Sequence, residues 1–324
     1  TLLTQWHSIW RLYGFSRDIY TMLEQWLPQL AMTHTTGALE YLLGCVMVDC
    51  GEFSAGMALI DALLARQDCM PLLRARALLD WVDFHITHVD PVNRVSYVQL
   101  NDALAQAQAI FVSFVMPQWQ LRVENMRCMV YWCYGHYADA LVCNDQTMHQ
   151  FHHVSQSLAH IETIKNRGLV MLSLGDVRSA RTYLLQALRA YAQTAISGQQ
   201  AICRIWLCAI AMLEHDTELT TQYITQLLAR GEYIATPSIF VHFLDVIMVM
   251  LTSDPAQLNK AYALSPCIER MRSAWQLSRL LLPCIVASSP IVIRPHQPSS
   301  LRWHAEMTVA DVVDTLHAHF VVPA

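Results

Sequence analysis

Apolar residues recur along this chain at the three-to-four-residue spacing of amphipathic helices, and that spacing breaks at nearly regular intervals. The breaks fall at Gly14, Gly51, Asp90-Pro91, Gly135, Gly175, His215-Asp216 and Asp254-Pro255, about forty residues apart. Two helices of about sixteen residues and two short connections fill such a period. The pattern therefore predicts an all-α fold, a right-handed α-solenoid of about seven helical hairpins over residues 1–282.

The prediction is uneven along the chain. The third hairpin, from Pro71 to Phe111, is expected to have a longer connection around Asp90-Pro91-Val92-Asn93. In the sixth, His215-Asp216 stands where other turns have glycine; Ala209 keeps a small residue on the first helix, while Thr221 does not on the second. The seventh keeps little beyond Asp254-Pro255 and Ala261. After Leu282 the rhythm stops, because Pro283, Pro290, Pro295 and Pro298 exclude a continuing helix. Residues 283–324 are expected to form a separate segment. In it, Ile291–Arg294 pairs with Leu301–Glu306, and a last helix runs from Val309 to about Phe320 behind an N-cap at Thr308. This tail reads as a cap on the last hairpin or as the start of a further domain.

Three repeats agree in detail as well as in spacing. Gly168 lies seven residues before Gly175, and Ala180, Leu184 and Ala187 follow on the next helix. Leu43-Gly44, Met47, Gly51-Glu52-Phe53 and Gly56 have the same layout, as do Cys128, Tyr131, Gly135-His136-Tyr137 and Ala140. These segments resemble tetratricopeptide (TPR) repeats. The resemblance implies small residues at the eighth and twentieth positions, where the two helices of a hairpin touch. Steric reasoning agrees, since a larger side chain at Gly168 or Ala180 would push the helices apart. A period near forty is closer to the longer-helix TPR variety in the sensor region of MalT-like bacterial transcriptional regulators.

The TPR resemblance also implies where a ligand sits: on the concave face, at positions two, five, nine, twelve and thirteen of each repeat. Carried over by position, these are Tyr41, Cys45 and Asp49 in the second hairpin, and Arg122, Asn125, Met129 and Trp132 in the fourth. The fifth contributes Glu162, Lys165, Leu169 and Ser173, and the sixth Trp206, Ile210 and Glu214. Aromatic anchors mixed with a few charges suit a peptide or a small ligand with polar and apolar parts. Trp132 and Trp206 fit a filler role between hairpins equally well.

Composition narrows the function. Hydrophobic residues make up 54% of the 324 residues and charged residues 15%, against roughly 25% charged in ordinary domains, which excludes disorder. The formal net charge is −5 and lysine occurs only at Lys165 and Lys260, so no phosphate-neutralising surface is expected. Ten cysteines without a C-x-x-C pair read as small core residues in a reducing cytoplasm. Ile239–Leu251 is too short to span a bilayer and carries His242 and Asp245, so it is expected to be a buried helix. The start at Thr1, with no charged n-region ahead of an apolar stretch, predicts no signal peptide and suggests a piece of a longer protein.

Motifs for nucleotide binding and for common hydrolase chemistry are missing: there is no G-x-x-x-x-G-K-[ST], G-x-G-x-x-G, G-x-S-x-G or H-E-x-x-H. His149 and His153 are one helical turn apart but lack ligands of usual spacing, so neither a metal nor a cofactor is expected. The expectation is a non-catalytic sensor or interaction domain of a cytoplasmic bacterial signalling or transcription regulator. It would bind a protein, a peptide or a small inducer, with self-association as a further possibility and no contact to nucleic acid or membrane. A freestanding TPR adaptor for a peptide is the alternative, and a helical-toroid enzyme the third.

Overall fold

Backbone hydrogen bonds at the helix ends decide where this chain reverses. At four turns the same pair occurs: Gly51 N–H donates to Val48 O and Glu52 to Met47 O, Gly135 to Trp132 and His136 to Tyr131, Gly175 to Leu172 and Asp176 to Met171, His215 to Met212 and Asp216 to Ala211, all at 2.8–3.1 Å. This is the Schellman arrangement, which needs a left-handed residue just past the helix. Gly51, Gly135 and Gly175 supply it with φ of 94, 81 and 85°, and His215 adopts 58°. His215 thus takes over the glycine's role, at some steric cost.

The computed structural model describes residues 16–26, 34–88, 95–154, 157–194, 196–230, 237–253, 258–274 and 312. They contain thirteen α-helices: α1 (Ser16–Trp26), α2 (His34–Asp49), α3 (Phe53–Ala65), α4 (Pro71–His88), α5 (Tyr97–Ser113), α6 (Pro117–Cys133), α7 (Tyr137–Gln150), α8 (Leu158–Ser173), α9 (Val177–Gln193), α10 (Ser197–Leu213), α11 (Thr217–Arg230), α12 (Pro237–Ser253) and α13 (Leu258–Ala274). From α2 onward they form six successive antiparallel hairpins, α2–α3 to α12–α13, and α1 packs on α2 ahead of them. The fold is an α-solenoid, as the periodicity predicts. The strand pair and last helix expected in residues 283–324 lie outside the described residues.

Helix starts are encoded locally. Proline opens α4, α6 and α12, where its missing N–H costs nothing. Ser96 and Gln99 make a reciprocal capping box on α5, and Ser157, Asp176 and Asp216 accept from His160, Ser179 and Leu219 N–H at the starts of α8, α9 and α11.

Packing within a hairpin depends on residues twelve apart. A Cβ on Gly56 would lie 2.4 Å from Gly44 O, and one on Gly168 2.8 Å from Leu184 Cγ. Where cysteine replaces glycine, its thiol bonds to the facing carbonyl: Cys128 Sγ donates to Ala140 O at 3.4 Å and Cys208 Sγ to Thr220 O at 3.8 Å. In the sixth hairpin the contact therefore falls one residue earlier than the sequence register, at Cys208 and Thr220 instead of Ala209 and Thr221. Thr220 is tolerated because its hydroxyl turns back to Asp216 O at 2.7 Å.

The first helix of each hairpin lies inside. In α10, residues 198–213 include no exposed position, whereas α9 exposes Thr182, Gln186 and Arg189 at helical spacing. Inner helices also pack on one another, α2 on α4, α4 on α6, α6 on α8 and α10 on α12. The connection between α5 and α6 repeats the Schellman turn with no glycine: Val115 N–H donates to Val112 O and Met116 to Phe111 O, both at 3.0 Å, with Val115 at φ 53°.

Two substitutions test these constraints. Gly56→Ala is expected to destabilise the chain by about 1–3 kcal/mol, because backbone on the facing helix must retreat. Val115→Gly should stabilise it by about 0.5–1 kcal/mol, since relief of a left-handed valine exceeds the entropy that glycine gains in the unfolded chain; Val115 is 82% exposed and gives up little packing. Urea midpoints of the two variants against the parent check both signs.

Candidate functional site

The inner wall is assembled from side chains that the inner helices bring into register, and three groups can be distinguished along it. At the α2–α4–α6 end, the buried Tyr41 hydroxyl donates to the Asp80 carboxylate, which also lies 3.8 Å from Cys45 Sγ. Burial first, and the Asp80 charge second, hold the Tyr41 phenol well above its ordinary range, so it remains a donor. Beside this pair the guanidiniums of Arg76 and Arg122 lie 4.4 and 4.8 Å from the Trp119 ring centroid, and Phe111 stacks on the same ring at 5.3 Å. Asp49 is buried at the far end of α2.

The second group is polar and buried. Asn125 Nδ2 donates to Ala159 O at 2.7 Å, Thr163 Oγ1 to Asn125 Oδ1 at 2.8 Å, and Asn144 Nδ2 to Thr163 O at 3.0 Å. Arg167 continues the chain to Asn144 Oδ1 at 3.3 Å, to the Asp145 carboxylate and to the Tyr183 ring. These bonds tie α6, α7 and α8 together, and satisfied buried polar groups fix the relative position of helices more narrowly than apolar contacts do. Next to them, Lys165 Nζ donates to Gln199 Oε1 at 3.0 Å and lies 3.7 Å from Glu162, and Arg204 donates to Gln200 Oε1 at 3.2 Å.

The third group is aromatic. Trp132 Nε1 donates to Ser173 Oγ at 2.7 Å, and the Trp206 ring meets Trp132 edge-on with centroids 6.3 Å apart. Three consecutive inner helices, α6, α8 and α10, are joined at this point. Only 6% of Trp132 and 8% of Trp206 is exposed and both belong to one buried cluster, so both rings serve as packing between hairpins.

Of the predicted positions, Tyr41 and Arg122 thus fall in the first group, Asn125, Glu162 and Lys165 in the second, and Trp132 and Trp206 in the third. Glu214 is drawn elsewhere, pairing with Arg181 on the outer helix α9. Arg76, Asp80 and Trp119 escaped the sequence reading because the third hairpin lacks the glycine signature from which positions could be transferred, and Trp119 precedes the first transferred position of the fourth. Asn144 and Thr163 escaped it because their pairing depends on how α7 and α8 face each other.

Further along, His242 on α12 is densely surrounded. Burial first, then the charges of Arg272 and His88, push its imidazole down to about 4. His88 ends α4, four hairpins earlier than α12, and contributes least of the three.

Stacked hairpins, twelve-residue helix contacts and a side-chain-lined inner wall together make this a TPR-like helical repeat architecture. Among solved structures it is similar to a Rap protein complexed with competence and sporulation factor, with a TM-score of 0.59 at 13% identity, over 80% of this chain and 71% of that one. Aspartyl phosphate phosphatase F from Bacillus subtilis matches with a TM-score of 0.49 at 12% identity, over 85% of this chain and 89% of that one. No protein-family model matches the sequence, and no curated protein matches it closely enough to count as a relative.

The state of His242 has a pH consequence. Its folded value of about 4 lies below the ordinary 6.5, so the unfolded chain binds this proton first, and stability is lost as pH falls from about 6.5 to about 4. The full loss is on the order of 3 kcal/mol. His242→Gln should remove most of that slope, read as urea midpoints at pH 7 and pH 4.5; an unchanged slope would contradict the assignment.

Proposed function

We propose that this chain is a non-catalytic binding module that holds an extended peptide segment against the inner faces of α4, α6, α8 and α10. The observation that carries this reading is the composition of the inner wall. The partly exposed Trp119 and the rings of Trp132 and Trp206 alternate with partly exposed polar groups at Arg122, Glu162 and Ser173 on successive inner helices. A chain of alternating side chains and backbone amides matches such a lining, with rings taking apolar side chains and polar groups taking the amides. The likeness in fold to a Rap protein carrying competence and sporulation factor supports the same use of the scaffold.

Binding would act as a signal by selecting one curvature of the solenoid. The finer reading is that the chain is the sensor region of a cytoplasmic bacterial regulator similar to MalT-like transcription factors, with residues 283–324 leading to a further domain. The repeat period near forty favours it. A P-loop upstream or a helix-turn-helix downstream in the parent reading frame would support this, and a frame coding for neither would leave the adaptor form.

Selection of a displayed random-peptide library on the full chain tests the module. Recovered peptides are expected to bind one per chain and to lose at least tenfold in affinity on Glu162→Lys, a partly exposed inner position whose reversal leaves the helical circular dichroism intact. A chain that recovers no peptide contradicts the reading.

A further inference from the structure

Among the described residues eight large apolar side chains are exposed, and three of them fall within four positions: Val112, Phe114 and Val115, at 52, 50 and 82%. They form the tip of the α5–α6 turn, on the edge of the solenoid where outer helices hand over to inner ones. Met70 and Leu158 add two more on the same edge, at the connections before and after it. The tip is also held firmly in place. Val115 and Met116 N–H donate to Val112 O and Phe111 O at 3.0 Å, Ser113 Oγ to Ile110 O at 2.8 Å, and Gln120 Nε2 to Phe111 O at 3.2 Å. These bonds keep Val115 at a φ of 53°, which a β-branched residue adopts only under strain. Nothing inside the chain compensates, because the valine side chain is left in solvent. A strained, preformed apolar tip facing outward has the properties of a contact surface, and its rigidity means that little ordering is needed on docking.

We infer that this tip is the contact by which two copies of the chain associate. The pattern of charge selects that partner. The chain carries a formal net charge of −5, so two copies repel where their charged faces meet, yet none of the nineteen residues from Ala103 to Leu121 is charged. The tip lies in the middle of this run, where copies approach with least repulsion, and an apolar surface is complementary to itself. Two-fold pairing sets Phe114 and Val115 of one copy against the same residues of the other. Three side chains, extended by Met70 and Leu158, make a patch smaller than the about 800 Å² per partner of a standard interface. The dimer is therefore reversible, with a Kd on the order of 100 μM. Its edge is separate from the inner faces of α4, α6, α8 and α10, so the pairing stands whether or not those faces bind a peptide.

Sedimentation velocity of the full chain from about 5 to about 500 μM tests this. A concentration-dependent shift from monomer to dimer is expected, with Kd raised at least tenfold by Val115→Gly or Phe114→Asp. Val115→Gly separates contact from folding, because it relieves backbone strain: the monomer should melt higher while the dimer weakens, a combination that unfolding cannot produce. Phe114→Asp and Phe114→Lys should each fail to pair alone and recover association when mixed, since opposite charges then meet across the two-fold axis. A chain that stays monomeric throughout, a dimer indifferent to these variants, or a mixture that does not recover would overturn the inference. Monomers that float with phosphatidylcholine vesicles through Phe114 would overturn it too, and would assign the tip to a membrane.

Discussion

The architecture depends on how closely the two helices of a hairpin can approach at residues twelve apart. Gly44 against Gly56 is the tightest case, with carbonyls that leave no room for a Cβ. Cys128 against Ala140, Gly168 against Ala180 and Cys208 against Thr220 repeat it with slightly more bulk. Close approach brings the inner helix of one hairpin within reach of the next, and a succession of buried clusters follows from Tyr41 on α2 to Met271 on α13. A solenoid with looser hairpins would not place Trp132, Ser173 and Trp206 in contact across three inner helices.

The inner wall inherits its order from that packing. Its polar members are largely engaged with one another across helix boundaries, as in the path from Asn125 through Thr163 and Asn144 to Arg167. Such a network resists sliding of α6, α7 and α8, because displacing any member leaves a buried donor or acceptor unmatched at a cost of about 1–3 kcal/mol. The part of the wall formed by α6 and α8 is therefore a set surface.

Much of the fold was legible in the sequence, because the turn residues and the small residues are local signals. Gly51, Gly135 and Gly175 mark left-handed positions, and Gly44, Gly56, Gly168 and Ala180 mark contact positions. The turn at Val115 was not legible: its hydrogen bonds are between backbone groups, and valine is a poor occupant of its backbone conformation, so nothing in its side chain announces it. The inner wall was legible only where the TPR register could be carried over. The register reaches positions in the second, fourth, fifth and sixth hairpins, whereas Arg76 and Asp80 sit in a hairpin without it. Glu214, which the register also names, pairs with Arg181 on α9.

The central claim is that the inner faces of α4, α6, α8 and α10 are the binding surface. Amide hydrogen exchange of the full chain, with and without a peptide recovered by selection, tests it most directly. The account predicts added protection concentrated in Pro71–His88, Pro117–Cys133, Leu158–Ser173 and Ser197–Leu213, with α5, α7, α9 and α11 little changed on their outer faces. Protection confined to those outer helices, with the inner ones unaffected, would contradict it.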